Sequence, residues 1–191
     1  MRAWERRIVK MVNRGTVELV KREYSFDELN SLSQEEFVLI VGPVFESSLW
    51  ISEEAWPKRP FGDLAQLHRA LCQIVRNASE ERKLTLIRAH PDLVGRAALS
   101  GMLTQESNRE QAGAGLNRLT SAEIATFQEL NQAYREKFGF PFVICARLNK
   151  KEGILNGLRA RLHHSQAEEI QTALAEIEKI AYLRLQDIVQ T

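Results

Sequence analysis

The strongest constraint on the fold is a helix-start signal that recurs along the chain, a serine or threonine followed three residues later by glutamate. It occurs at Ser33 with Glu36, Thr120 with Glu123 and Ser165 with Glu168. In this capping box the two side chains satisfy backbone N–H groups of the first helical turn. Apolar residues follow at helical spacing, and no stretch alternates with period two long enough to build a sheet. The sequence predicts an all-α, single-domain bundle of about eight to ten helices, with one short extended segment over residues 140–146.

Further local signals place individual helix ends. Gly42 and Pro43 interrupt the helix that Ser33 opens, and Asp63 is expected to cap the next long helix. Gly139 follows the last apolar turn of the helix begun at Thr120, as C-terminal glycines commonly do. Asn149, three residues before Glu152, is predicted to cap a further helix.

Composition excludes several functional classes. Lys and Arg number 26 and Asp and Glu 25, so the basic excess typical of nucleic-acid binding is missing and no such partner is expected. No apolar run approaches the roughly 20 residues that span a bilayer, so no membrane partner is expected either. Cys72 and Cys145 lie in apolar segments and form no CxxC, which indicates reduced core residues and a cytoplasmic protein.

Residues 1–25 differ from the rest by carrying seven Arg and Lys residues. Apolar residues at helical spacing there predict a basic, helical N-terminal extension, followed by a helical domain over residues 26–191. The segment lacks the apolar core of a secretory signal. A transit peptide is the alternative, although three glutamates argue against it.

His90 directly precedes Pro91 in the stretch LIRAHPDL. Proline favours the first position of a helix, so we expect a short helix to begin at Pro91 with His90 at its N-terminus. The partial positive charge of a helix N-terminus disfavours the imidazolium form. A histidine held neutral in this way can exchange protons near neutral pH, which makes His90 a candidate catalytic residue.

Glu110 lies in a polar cluster, SNREQ, that is followed by the small residues AGAG. Ser107 and Glu110 match a capping box, and this structural explanation stands beside a functional one. Small residues after polar ones allow close approach of the backbone to a ligand, which favours a binding site.

Arg184 falls one heptad after Ile177, near the centre of the apolar face of the last predicted helix. An unpaired charge buried there would cost several kcal/mol, so the guanidinium needs a partner. That partner is either a buried carboxylate or an anionic or imide-like ligand held by the guanidinium fork. The residues alone leave both explanations open.

The motifs of several other site classes are missing from the sequence. There is no HExxH, no cysteine pair, no phosphate-binding glycine loop and no G-x-S-x-G, and His163 and His164 are adjacent rather than on one helix face. We therefore expect no metal site.

Seven runs of residues together resemble one known family. They are PVFESSLWISEEAW, RPF, LIRAHPDL, LTQES, EQAGAGL, LNQAYREKFGFPFVICAR and IAYLRLQDIV. The chain resembles the 2-oxo-4-hydroxy-4-carboxy-5-ureidoimidazoline (OHCU) decarboxylases from about Phe26 to its C-terminus. The family's usual S-P-W appears here as Ser48-Leu49-Trp50, which removes a proline from a connection.

The resemblance implies an all-α, cofactor-free and commonly homodimeric enzyme of urate degradation. Such enzymes convert the unstable small molecule OHCU to (S)-allantoin and CO2. The catalytic residues it implies are His90 and Glu110. The substrate-binding residues it implies are Pro91, Ser107, Gln111, Arg184 and, in the backbone of the FVICA stretch, Ile144.

Two competing hypotheses remain at this point. A non-enzymatic helical interaction module would explain the capped amphipathic helices, but it leaves the polar cluster and Arg184 without a purpose. A lyase or hydrolase acting on another ureido compound would use similar groups.

Overall fold

The computed structural model describes residues 23–94 and 105–190. This part of the chain is all-α, as predicted, with nine α-helices and no β-strand. The helices are α1 (Phe26–Ser31), α2 (Gln34–Val41), α3 (Trp50–Ala55), α4 (Leu64–Asn77), α5 (Glu80–Arg88), α6 (Gln105–Gly113), α7 (Ser121–Phe138), α8 (Lys151–Arg161) and α9 (Gln166–Gln186). Most of the predicted N-terminal helix, and residues 95–103 of the predicted short helix, lie outside the described residues.

Short 3₁₀ turns connect several of the helices. They are Gly42–Phe45, Trp56–Lys58, Leu116–Arg118 and Ala146–Leu148. The two ends of the described chain meet at Tyr24 and Val189, which form an isolated parallel bridge. None of the described helices is both long and apolar enough to cross a membrane.

The side-chain caps predicted at Ser33, Asp63, Thr120 and Ser165 are confirmed. Complete capping boxes begin α2, α7 and α9, and Asp63 accepts a hydrogen bond from the Gln66 N–H at 2.7 Å at the start of α4. The predicted cap at Asn149 is wrong, because α8 begins after Lys150 without a side-chain cap. The Asn149 amide instead donates to the Cys145 carbonyl oxygen at 3.0 Å, so it is used in the preceding turn.

Helix α9 runs through the centre of the core. Its fully buried apolar row includes Ala173, Ile177 and Ala181, and it packs against α4, α5 and the turn Gly42–Phe45. Cys72 and Cys145 are both buried and unpaired, as predicted.

The extended segment follows α7, which ends at Gly139 with a φ of 74° that favours glycine. The segment occupies residues 141–145 and gives way to a 3₁₀ turn at Ala146, one residue earlier than predicted. Arg161 Nη1 donates to the Val143 carbonyl oxygen at 2.8 Å, and the Cys145 N–H donates to the Glu176 carboxylate at 2.8 Å. Charged side chains from α8 and α9 therefore fix the backbone of this segment.

Candidate active site

A pocket lies where α6, α9, the turn after α2, the end of α5 and the extended segment meet. All seven residues that the sequence assigned to a site line it: His90, Pro91, Ser107, Glu110, Gln111, Ile144 and Arg184. Residues separated by up to 94 positions are thus brought together. Apolar walls come from Leu93, Phe142 and Ile180.

The predicted position of His90 at a helix N-terminus is wrong. Helix α5 ends at Arg88, His90 follows its C-terminus, and residues 91–94 form no helix. The proline disfavours helical geometry in the residue before it, which ends α5 here without opening another helix in residues 91–94. His90 Nδ1 lies 3.0 Å from the Leu86 carbonyl oxygen.

That hydrogen bond determines which nitrogen of the neutral His90 ring carries the hydrogen. A carbonyl oxygen can only accept, so Nδ1 carries the hydrogen and Nε2 presents its lone pair. Among the described residues, Nε2 is buried and has no hydrogen-bond partner. It is therefore the nitrogen that remains for a ligand in the pocket.

The predicted neutrality of His90 holds, but for a different physical reason. Burial lowers the pKa of the imidazole below its usual value, and the positive charge of Arg184 also lowers it. The carboxylate of Glu46 and the bond to the Leu86 carbonyl oppose this by raising the pKa. Desolvation, rather than a helix N-terminus, thus favours the neutral base.

Arg184 faces the core, as its heptad position predicts, with only 6% of its side chain exposed. Its guanidinium binds Glu110 with two hydrogen bonds, from Nε at 2.9 Å and from Nη2 at 2.8 Å. Nη2 also donates to Glu46 at 2.7 Å. The carboxylate partners of the first explanation are therefore present, and Arg184 also lines the pocket.

The capping explanation for Glu110 is wrong. Helix α6 begins at Gln105, so Ser107 lies within the helix rather than at its N-cap, and Glu110 binds Arg184. Ser107 Oγ donates to Glu46 at 3.1 Å. The Gln111 side-chain oxygen accepts from the Val94 N–H at 3.2 Å, which ties residues 91–94 to the pocket.

Glu46 is the site residue that sequence reasoning missed. It lines the pocket with 6% of its side chain exposed and has a φ of 52°, uncommon outside glycine. No local sequence pattern marks Glu46, because its partners Ser107 and Arg184 are distant in the chain.

The comparisons with known proteins decide the family. The family model for OHCU decarboxylase matches residues 30–186, most of the chain. The chain belongs to the OHCU decarboxylase family. Among curated members of this family, it is 44% identical over 163 residues to the enzyme from Amia calva, covering 85% of this chain and 93% of that protein. It is 42% identical over 162 residues to the OHCU decarboxylase of Halalkalicoccus jeotgali, covering 85% and 90%.

A solved structure supports the same relationship. The crystal structure of (S)-allantoin synthase superposes with a TM-score of 0.69 at 30% sequence identity, covering 86% of this chain and 54% of that one. This chain thus spans about half the length of that protein. The resemblance to OHCU decarboxylases seen in the sequence motifs is confirmed.

Within residues 23–94 and 105–190, no group of three or more His, Cys, Asp and Glu residues is arranged to hold a metal ion. The polar groups of the pocket are instead one imidazole, one guanidinium, two carboxylates, a hydroxyl and a carboxamide. Such a set can move a proton, orient an oxygen-rich ring and hold a carboxylate.

Proposed function

We propose that this protein is a cofactor-independent decarboxylase that converts OHCU to (S)-allantoin and CO2 in urate degradation. Membership of the OHCU decarboxylase family supports the reaction. The observation that carries the chemistry is the free Nε2 of His90 in the same pocket as the Arg184–Glu110 pair.

The substrate itself supplies the electron sink that many decarboxylases obtain from a cofactor. Its carboxylate and hydroxyl share one ring carbon, next to a C=N group whose carbon carries the ureido substituent. When the bond to CO2 breaks, its electron pair moves into that C=N group, and the nitrogen takes up a proton. The enol then loses its hydroxyl proton while the ureido-bearing carbon gains one. Substrate carboxylate plus one proton thus gives CO2 and neutral allantoin.

His90 is suited to two of these proton transfers, the one from the hydroxyl and the one to the ureido-bearing carbon. Neutral Nε2 accepts the hydroxyl proton as a base, and the imidazolium then protonates the ureido-bearing carbon as an acid. Delivery from one fixed nitrogen reaches one face of the carbon, which yields a single enantiomer. Glu110 polarises the substrate hydroxyl in this scheme, because the ring of His90 is oriented by the Leu86 carbonyl oxygen while Glu110 binds Arg184.

The other pocket residues hold the ring in place. Arg184 holds the ring carbonyl or ureido oxygens with its guanidinium fork. Ser107 and Gln111 fix the ring's orientation, while Pro91 and the backbone of Ile144 complete the wall.

The main alternative, a helical interaction module without catalysis, does not require a pocket of this composition. A concave site that contains both His90 and Arg184 argues against it. A lyase or hydrolase for another ureido compound is the second alternative, and the reaction assay separates all three.

The assay starts from urate with uricase and the preceding hydrolase in excess, and follows circular dichroism in the allantoin band. We expect the protein to accelerate appearance of the (S)-allantoin signal over the spontaneous reaction, which gives no net signal. A racemic product formed at the spontaneous rate would contradict the proposal. Dialysis against a chelator tests independence of metal ions, and activity should be unchanged.

We further propose a homodimer in the cytoplasm, with residues 1–25 as an extension to a domain over residues 26–191. The resemblance to a commonly homodimeric family supports the dimer, and the two unpaired cysteines support a reducing compartment. Light scattering on a sizing column should give twice the 21.8 kDa chain mass.

A further inference from the structure

Glu46 lies at the end of the turn Gly42–Phe45, with a φ of 52° and a ψ of −129°. This conformation is uncommon for a residue with a side chain and persists only where the surroundings enforce it. The backbone turns here so that a carboxylate, the group most costly to bury, enters the pocket with 6% of its side chain exposed. A residue that served only to connect helices would need neither feature.

The Glu46 carboxylate joins two elements that both contribute to the pocket. Its Oε1 accepts from Arg184 Nη2 of α9 at 2.7 Å and from Ser107 Oγ of α6 at 3.1 Å. Arg184 Nη2 also donates to Glu110, so the guanidinium is held from two sides by carboxylates. The orientation of Arg184 and of the Ser107 hydroxyl therefore depends on Glu46.

We propose that Glu46 is a positioning residue for the decarboxylation: it fixes Arg184 and Ser107 toward the substrate and supplies the negative charge that stabilises protonated His90. This inference rests on the proposed function. Glu46 donates no proton to the substrate; it acts through the three groups that contact the substrate.

The electrostatic part of the role follows from what surrounds His90. Among the described residues, the charged side chains that line the pocket with His90 are Glu46, Glu110 and Arg184. Glu46 and Arg184 act on the imidazole, and Glu110 is paired with Arg184. Burial lowers the pKa of His90, and the Glu46 carboxylate is the largest influence that raises it. Without that carboxylate the buried imidazolium would lose its counter-charge, and the step that returns the proton would slow.

The test replaces Glu46→Gln, which keeps the shape and the acceptor oxygen but removes the charge. Since neutral His90 starts the reaction, kcat/KM rises with pH through the pKa of His90. Loss of Glu46's charge lowers that pKa, so this rise of kcat/KM, the acidic limb of the pH profile, should move to lower pH. We also expect kcat to fall roughly 10- to 100-fold. Glu46→Asp keeps the charge and should leave the limb at its wild-type position, with a smaller loss of kcat.

Glu178→Gln is the matched control, because Glu178 lies on the same helix as Arg184 but pairs with Arg76 outside the pocket. It should retain wild-type kcat and pH profile. Wild-type kcat and an unmoved limb in Glu46→Gln would overturn the inference. A limb that moves to lower pH in Glu46→Asp would also overturn it, and this result decides the case by itself if the glutamine variant does not fold. Failure of the proposed function would look different, since the wild-type protein itself would then produce no (S)-allantoin.

Discussion

The buried Arg184 network makes a quantitative prediction about stability. Replacing Arg184→Met removes the positive charge and leaves the largely buried carboxylates of Glu46 and Glu110 without their partner. Breaking a buried ion pair from one side costs about 3–5 kcal/mol, because an uncompensated charge remains. For a chain of 191 residues, about 2–4 °C of melting temperature is lost per kcal/mol, so the midpoint should fall by roughly 6–20 °C.

Thermal and urea unfolding followed by far-ultraviolet circular dichroism measure this loss. Arg147→Met is the control, since Arg147 pairs with Asp187 at 2.9 Å but both side chains are about one-third exposed. That exposed pair should contribute no more than about 1 kcal/mol. If Arg184→Met destabilises the protein no more than Arg147→Met, the buried pairing described above is wrong.

A rescue experiment shows how much of the stability lost in Arg184→Met comes from unpaired carboxylates and how much from lost packing. Adding Glu46→Gln and Glu110→Gln to Arg184→Met removes both uncompensated carboxylates, so part of the lost stability should return. Affinity for allantoin, measured by calorimetry, should stay weak in both variants because the guanidinium is gone. Affinity at the wild-type level would assign Arg184 a structural role only.

Two further predictions concern helix starts. Ser165→Ala removes the capping hydroxyl of α9 and should cost about 1 kcal/mol in urea unfolding; an unchanged midpoint would mean that the cap contributes nothing. The pKa of Glu123 is lowered to about 2, first by the hydrogen bond from Lys151 and then by bonds from Thr120. Because the pKa of Glu123 in the folded protein lies below its ordinary value, ionised Glu123 stabilises the folded state. This stabilisation is present above about pH 4.5 and is lost as pH falls toward 2. Lys151→Met should raise the pKa of Glu123 in a carboxyl NMR titration, and an unmoved titration would contradict the assigned cause.

The helical architecture could be predicted because its signals are local. A hydroxyl and a carboxylate three residues apart determine a helix start by themselves, as at Thr120 and Ser165. Arg184 was also predictable, because a charge within an apolar helical row must face the core. Convergence of the seven candidate residues on one pocket could be expected only through the resemblance to OHCU decarboxylases.

The errors occurred where a local signal had two possible outcomes. A proline can end one helix or begin another, and at Pro91 only the first takes place in the described residues. An S-x-x-E pattern inside a helix, as at Ser107 and Glu110, looks the same in sequence as one at its start. Glu46 was missed because its partners lie 61 and 138 residues away, beyond any local pattern.

In the proposed reaction one buried imidazole, His90, moves the proton that sets the handedness of the product. The most direct test is the circular dichroism of allantoin formed from freshly generated OHCU by wild-type and His90→Asn proteins. We predict an (S)-allantoin signal for the wild type, and for His90→Asn the spontaneous rate with no net signal and an unchanged helical spectrum. Full-rate formation of pure (S)-allantoin by His90→Asn would contradict the account.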